Sequence, residues 1–297
     1  MRVTFNTQFR DAANAVAELS LEMATRQREI SSGRRLHAPS DDPMASATSV
    51  TLRAQLAGAD QYTRTATSAQ SRLQVLDGVL SELSDLVTSA KVAAMSGTGS
   101  SATTAQREAA AQQLVGLRDS ILAAVNTRVG GAYLLSGDEL LTAPYQRVGE
   151  SVSAYEGGSG VVAVDIDDET SVGLSLDGET ILKGSDADDL FTTLDRLAAD
   201  VRAGSDTGVD AGIEALGRGM ARIGVVHGQV GLDLAAITSR SDLIGARRLA
   251  VLSHLSDLED ANLAESATAL ARTDTAYRAT LNAIALSQRL SLLDYLR

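Results

Sequence analysis

The apolar positions of this chain fall into long stripes spaced three and four residues apart. In the first stretch Phe9, Ala12, Val16, Leu19, Met23 and Ile30 share one seam, interrupted only by Arg26. This spacing predicts a helix over 8–32 that stops at Gly33. The polar stretch 33–43 reads as a turn. Ser40 or Asp42 would cap the next helix, with Pro43 in its first turn. That helix is long, with Leu73, Leu76, Leu80, Leu83, Val87, Ala90 and Ala94 on one face. A Ser/Gly/Thr loop from Gly97 to Ser101 ends it. A third helix is predicted over 104–129, with Leu114, Leu117, Ile121 and Ala124 on one face and Gly130-Gly131 as its stop.

Mid-chain the period changes. Ser151–Tyr155 and Val161–Ile166 read as strands joined by Gly157-Gly158-Ser159-Gly160. Val172–Leu176 and Thr180–Leu182 flank Asp177-Gly178, a dipeptide suited to a hairpin turn. Helix resumes near Asp188. A seam then runs from Ile213 to Leu258 through Leu216, Ile223, His227, Val230, Ile237 and Ile244. It implies a helix of about 45 residues, roughly 70 Å long. After a one-residue shift the stripe returns as Leu263, Leu270, Tyr277 and Ile284, every seventh residue. The predicted fold is mainly α, a long antiparallel helical coiled-coil rod with a small antiparallel β domain inserted mid-chain. Five parts are expected: an N-terminal helix and turn (1–42), the first half of the rod (43–137), a small β domain (138–187), the second half of the rod (188–258) and a C-terminal helix (259–297).

Charge separates the ends from the middle. Residues 1–60 and 240–297 each carry seven arginines and seven carboxylates, whereas 138–210 carry four basic residues against seventeen acidic ones. Neutral ends can approach identical copies without strong repulsion, and an acidic segment is easiest to keep facing solvent. With no basic face, nucleic acid is not an expected partner. No apolar run reaches 18 residues, so no membrane span is expected. The first residues lack the apolar core of a secretory signal, which suggests either retention in the cytosol or export without a cleaved signal.

The candidate chemistry is thin. The chain has no cysteine, which removes thiol catalysis and thiolate metal sites. His37, His227 and His254 share no metal-ligand spacing, and His227 reads as a packed seam residue. Asp165, Asp167, Asp168 and Glu169 open like a calcium loop, but Thr170 and Leu176 stand where that loop needs Gly and Glu. They read instead as a solvated strand edge. Gly157–Gly160 lacks the Lys-Ser/Thr ending of a phosphate loop. No catalytic residue, cofactor or metal site is nominated, and no enzyme is expected.

Three stretches carry a family resemblance. Asn6-Thr7, a helix, and then Glu29-Ile30-Ser31-Ser32-Gly33-Arg34-Arg35-Leu36-His37-Ala38-Pro39-Ser40-Asp41-Asp42-Pro43 resemble the N-terminal signature of bacterial flagellins and hook-associated proteins. The end, Ile284 through Leu290-Ser291-Leu292-Leu293-Asp294-Tyr295-Leu296-Arg297, resembles the closing helix of the same group. Gly131-Ala132-Tyr133-Leu134-Leu135-Ser136-Gly137 with Pro144-Tyr145 resembles the entry to the outer domain of the hook-associated protein 3 family, with Ala132 and Leu135 in place of its usual Arg and Phe. Pro43, where flagellins carry Ala, tilts the resemblance toward that family.

The resemblance implies a structural part of the bacterial flagellum, exported through its type III apparatus to the cell exterior. It would form the junction ring between hook-associated protein 1 and the flagellin filament, with copies of itself and a C-terminal export chaperone as further partners. The family motif maps onto Ser32, Gly33, Pro39, Ser40, Asp41, Asp42, Pro43, Tyr133, Ser136 and Gly137. The expected subunit contacts are Phe9, Val16, Leu19, Met23 and Ile30 with Tyr277, Leu281, Ile284, Leu290 and Leu293. Flagellin itself is the first alternative, and a cytosolic coiled-coil scaffold the second.

Overall fold

The computed structural model describes residues 5–99, 102–168 and 170–295, and their side chains from 10 to 286. In chain order it holds α1 (Phe5–Ser32), α2 (Pro43–Ser96), α3 (Thr104–Val125), β1 (Arg128–Val129), β2 (Ala132–Tyr133), β3 (Arg147–Val148), β4 (Ser151–Val152), β5 (Ala163–Asp165), β6 (Ser171–Gly173), α4 (Gly178–Leu182), α5 (Leu190–Ala203), α6 (Asp206–Glu259) and α7 (Leu263–Tyr295). The fold is mainly α with three small antiparallel hairpins mid-chain. The chain divides into two compact units, one of residues 1–58 with 247–297 and one of residues 59–246. Helices α2 and α6 contribute to both.

The second unit contains one continuous apolar core, from Ala66 to Ile237. The α2 stripe Leu73, Leu76, Leu80, Leu83, Val87, Ala90 and Ala94 is entirely buried. Along α6, residues Leu216, Ile223, Val230, Ile237 and Ile244 are buried at an interval of seven, while Ile213 before them and His227 and Leu234 between them are half-buried. Asp77 pairs with His227 at 2.8 Å, and Thr88 on α2 meets Met220 on α6, so the two helices run antiparallel. Helix α6 carries eight glycines, from Gly208 to Gly245. Two of them permit close approach, since a methyl on Gly212 would meet Leu197 and one on Gly208 would meet Asp200, both on α5.

Caps set several boundaries. Thr103 and Gln106 form a reciprocal capping box at the start of α3. Asp189 caps α5, and Gly204, at φ +71°, closes it. Four expectations are corrected here. Helix α3 ends at Val125 rather than 129, because Asn126 turns its amide to the Tyr145 carbonyl at 2.8 Å. Gly130-Gly131, both at positive φ, then form the β1–β2 hairpin turn. The expected strand pair 151–155 with 161–166 is replaced by β3–β4 and β5–β6. Asp177-Gly178 is not a hairpin turn. The Asp177 carboxylate accepts from Glu179 N at 2.8 Å and Thr180 Oγ1 at 2.6 Å, so it caps the short helix α4.

Three arginines on the helices hold the mid-chain insert. Arg72 on α2 donates to the carbonyls of Leu174 (2.6 Å) and Tyr133 (3.0 Å). Arg118 on α3, itself buried, donates to the Glu150 carbonyl at 2.6 Å and pairs with Asp119 and Asp195. Arg222 on α6 donates to the carbonyls of Ile181 and Leu182, the last residues of α4, and to Asp186 at 2.7 Å. In the acidic run Asp165 on β5 and Asp168 beyond it are exposed and Asp167 is half-buried, while Glu169 lies outside the described residues. The run forms the tip of the β5–β6 hairpin, with Asp168 accepting from the Tyr62 hydroxyl at 2.8 Å and Asp167 pairing with Arg240 at 3.3 Å.

Candidate assembly site

The first unit is built from the two ends of the chain. Helix α1 leads into the turn at 33–42, and α6 leads through 260–262 into α7. The two turns are stitched by backbone hydrogen bonds, Arg35 N to Glu259 O at 2.7 Å and Ala261 N to Gly33 O at 2.9 Å, around an Arg34–Asp260 bridge. The end of α1 therefore meets the start of α7, and the two helices pack side by side in antiparallel sense.

Most motif residues of the first turn have a local task. Gly33, at φ +69°, terminates α1, and its N–H donates to Glu29 O at 2.8 Å. Ser32 Oγ bonds His37 Nε2 at 2.8 Å. The Asp41 carboxylate accepts from the N–H groups of His37 (3.0 Å) and Ala38 (2.9 Å). Asp42, not Ser40, caps α2, accepting from Ala45 N at 3.0 Å, with Pro43 in the first helical turn. Pro39 and Ser40 are exposed.

The two backbone bonds hold the Asp41 carboxyl below the ordinary carboxylate pKa. A depressed folded-state pKa gives stability that is present above the ordinary value of about 4 and lost as pH falls through the folded value. The turn should therefore loosen in acid. Amide exchange at His37 and Ala38 is expected to quicken below about pH 4, and Asp41→Asn is expected to flatten that pH dependence.

Of the expected contact residues, Val16, Leu19, Met23 and Ile30 lie half-buried on α1, and Tyr277 and Ile284 lie half-buried on α7. Leu281 is exposed. The side chains of Phe9, Leu290 and Leu293 lie outside the described residues. Because α1 packs on α7 of the same chain, part of each seam is already covered intramolecularly. Among the described residues of this unit, the buried hydrophobics are only Ala45 and Leu52, whereas Leu21, Met44, Val50, Leu249 and Leu286 each stand at least 60% exposed.

Sequence reasoning missed a polar cluster in this unit. Glu29 is 5% exposed, accepts from Ser266 Oγ at 2.8 Å and pairs with Arg26 at 3.0 Å. Glu259 is equally buried and pairs with Arg53 at 2.7 Å. The available signal was the break in the α1 seam at Arg26, with a carboxylate three residues on.

The second motif segment lies in the other unit. Tyr133 is buried, with its ring under the Arg128 guanidinium and its hydroxyl accepting from it. Leu134 and Leu135 enter the core. Ser136 O accepts from Gly158 N at 3.0 Å, Asp138 accepts from Gly160 N at 3.0 Å, and the Tyr155 hydroxyl reaches the carbonyls of Leu135 and Gly158. The glycine run 157–160 is thus the partner of the Tyr133–Gly137 segment, not a loose connector. Its task is close backbone packing. Among the described residues, no His/Cys/Asp/Glu group could hold a metal ion.

Residues 4–139 match the family model of the bacterial flagellin N-terminal helical region. Over 98% of its length the chain is 25% identical to flagellar hook-associated protein 3 of Escherichia coli, covering 98% of that protein. Along nearly its whole length the chain is similar to flagellar hook-associated protein 3. The fold agrees with solved structures described in the same terms. A Vibrio parahaemolyticus protein provisionally assigned as a flagellar hook-associated protein superposes with a TM-score of 0.69, covering 74% of this chain and 100% of its own, at 23% identity. The flagellar junction protein FlgL of Legionella pneumophila gives a TM-score of 0.58, covering 73% of this chain and 100% of its own, at 12% identity. At these identities the structures establish the fold. The likeness to the hook-associated protein 3 of E. coli extends over nearly the whole of both chains.

Proposed function

We propose that this chain is the structural junction of a bacterial flagellum, forming a ring between hook-associated protein 1 and the flagellin filament. The observation that carries this reading is the first unit. It joins the two ends of the chain and, among its described residues, buries almost no large apolar side chain and exposes several. Such a surface completes its packing by association. Contacts of the heterologous kind between copies generate closed rings or tubes. The seam residues Val16, Leu19, Met23, Ile30, Tyr277, Leu281 and Ile284, continued by Phe9, Leu290 and Leu293, would supply those contacts.

In this reading the five sequence segments have distinct tasks. Residues 1–42 and 259–297 polymerise, 43–137 and 188–258 form the shaft, and 138–187 form the outward acidic head. The subunit reaches the cell exterior through the flagellar export apparatus without a cleaved signal, with a chaperone holding its C-terminal helix. The role is mechanical, and it assigns no catalytic chemistry.

Flagellin is the second reading, favoured by the match of residues 4–139 to the flagellin N-terminal region. Deleting the gene from its source bacterium separates the two. A missing junction leaves hooks without filaments and flagellin free in the medium. A missing filament subunit leaves bare hooks and no released flagellin. Intact filaments after deletion would refute both.

A further inference from the structure

The β5–β6 hairpin reaches both long helices of the second unit at the place where their shared core stops. That core ends at Ala66 on α2 and Ile237 on α6. In the turns of the unit beyond it, 59–65 and 238–246, Ile244 is the one buried residue. Two neighbouring carboxylates of the hairpin tip lie against these turns. Asp168 accepts from the Tyr62 hydroxyl on α2 at 2.8 Å, and Asp167 pairs with Arg240 on α6 at 3.3 Å. The Asp168 bond lifts the Tyr62 phenol above its ordinary pKa, which keeps its proton in place as a donor.

The tip itself does not depend on these ties. Ile166 and Val172, on either side of it, are buried in the core. Within the tip the Thr170 N–H donates to the Asp167 carboxylate at 2.9 Å, and the Ile166 N–H donates to Thr170 O at 2.9 Å. At the base of the hairpin Arg72 holds the Leu174 carbonyl. A fixed pair of acceptors, one for each helix, suits a part that holds more than a part that is held. We propose that the tip of the β5–β6 hairpin is a clasp. Through Asp168 to Tyr62 and Asp167 to Arg240 it closes α2 against α6 where the continuous apolar core ends, and it sets how readily those turns open. Each tie is partly exposed and worth only a few-fold in the opening equilibrium, so the clasp tunes local opening without governing global stability. It lies wholly within the second unit and is independent of what the chain assembles with.

Amide hydrogen exchange in the full-length protein tests this. Tyr62→Phe/Arg240→Met removes both donors at half-buried positions and keeps the stems of both side chains. The amides of 59–66 and 237–244 are expected to exchange about tenfold faster, whereas 76–83 and 216–223, inside the core, keep their protection. In the hairpin, the bonded amides of Ile166 and Leu174 should stay unchanged. A hairpin that quickens as much as the helical turns, or more, would overturn the proposal, because the helices would then be holding the hairpin. Helical turns that exchange as slowly as before would defeat it too. Should the double variant lose protection throughout the core, Tyr62→Phe alone decides. A few-fold quickening at 59–66 then supports the clasp, and its absence refutes it.

Discussion

Gly137→Ala is expected to destabilise the second unit by about 3 kcal/mol and lower its melting midpoint by roughly 10 °C. Two effects add. Gly137 has φ +63°, a conformation that costs a residue with a side chain. A methyl there would also be driven into the Gly158 carbonyl, with its carbon at 2.6 Å and the Gly160 oxygen at 2.9 Å. Both obstacles are backbone, held by the Gly158 N–H to Ser136 bond and the Gly160 N–H to Asp138 bond, so neither can swing aside. Gly149→Ala is the control. It has a similar φ of +65° but open space around it, and should cost only about 1 kcal/mol. Thermal unfolding of the two variants measures the difference. Equal losses would mean that strain alone, not backbone contact, governs Gly137.

Arg118→Met is the other large effect, expected to cost about 2–4 kcal/mol. Arg118 is buried among Leu114, Ile121 and the hairpin β3–β4, and it serves Asp119, Asp195 and the Glu150 carbonyl together. Methionine fills the volume but leaves these acceptors short of a donor. Both carboxylates are about one-third exposed and Asp119 keeps Arg147, so solvent softens the loss. Arg118→Met/Asp195→Leu should recover most of it, because removing both charges is far cheaper than removing one. Arg118→Lys should recover less, since one ammonium cannot span three acceptors in fixed directions. Chemical denaturation of the four proteins gives the comparison.

The sequence reveals the helices well because their stripes are long. The α2 stripe from Leu73 to Ala94 is buried throughout, and α6 follows its seam with one fully buried residue per seven. The mid-chain insert is less legible for a physical reason. Its strands are two or three residues long, too short for alternation to register, and tertiary bonds fix them. Asn126 stops α3 by reaching Tyr145, and Asp177 caps where its dipeptide suggests a turn. The polar half of the assembly site was also hidden. Arg26 looks like an interruption in an apolar stripe until the burial of Glu29, three residues on, and its bond from Ser266 on α7 are seen. Of the residues that carry the family resemblance, Asp41 and Gly137 shape backbone rather than present chemistry.

The glycines of α6 have a consequence for the order of folding. Each costs about 1 kcal/mol of helix propensity relative to alanine, so the eight together remove roughly 8 kcal/mol from the helix taken alone. An isolated α6 would therefore be largely unwound. It acquires its helical form only as its buried residues settle onto α2 and its glycines admit the side chains of α5. Secondary structure and packing in the second unit should consequently appear and vanish together, in one cooperative step, and the last long helix in the chain to be synthesised within that unit is the one least able to form before the rest.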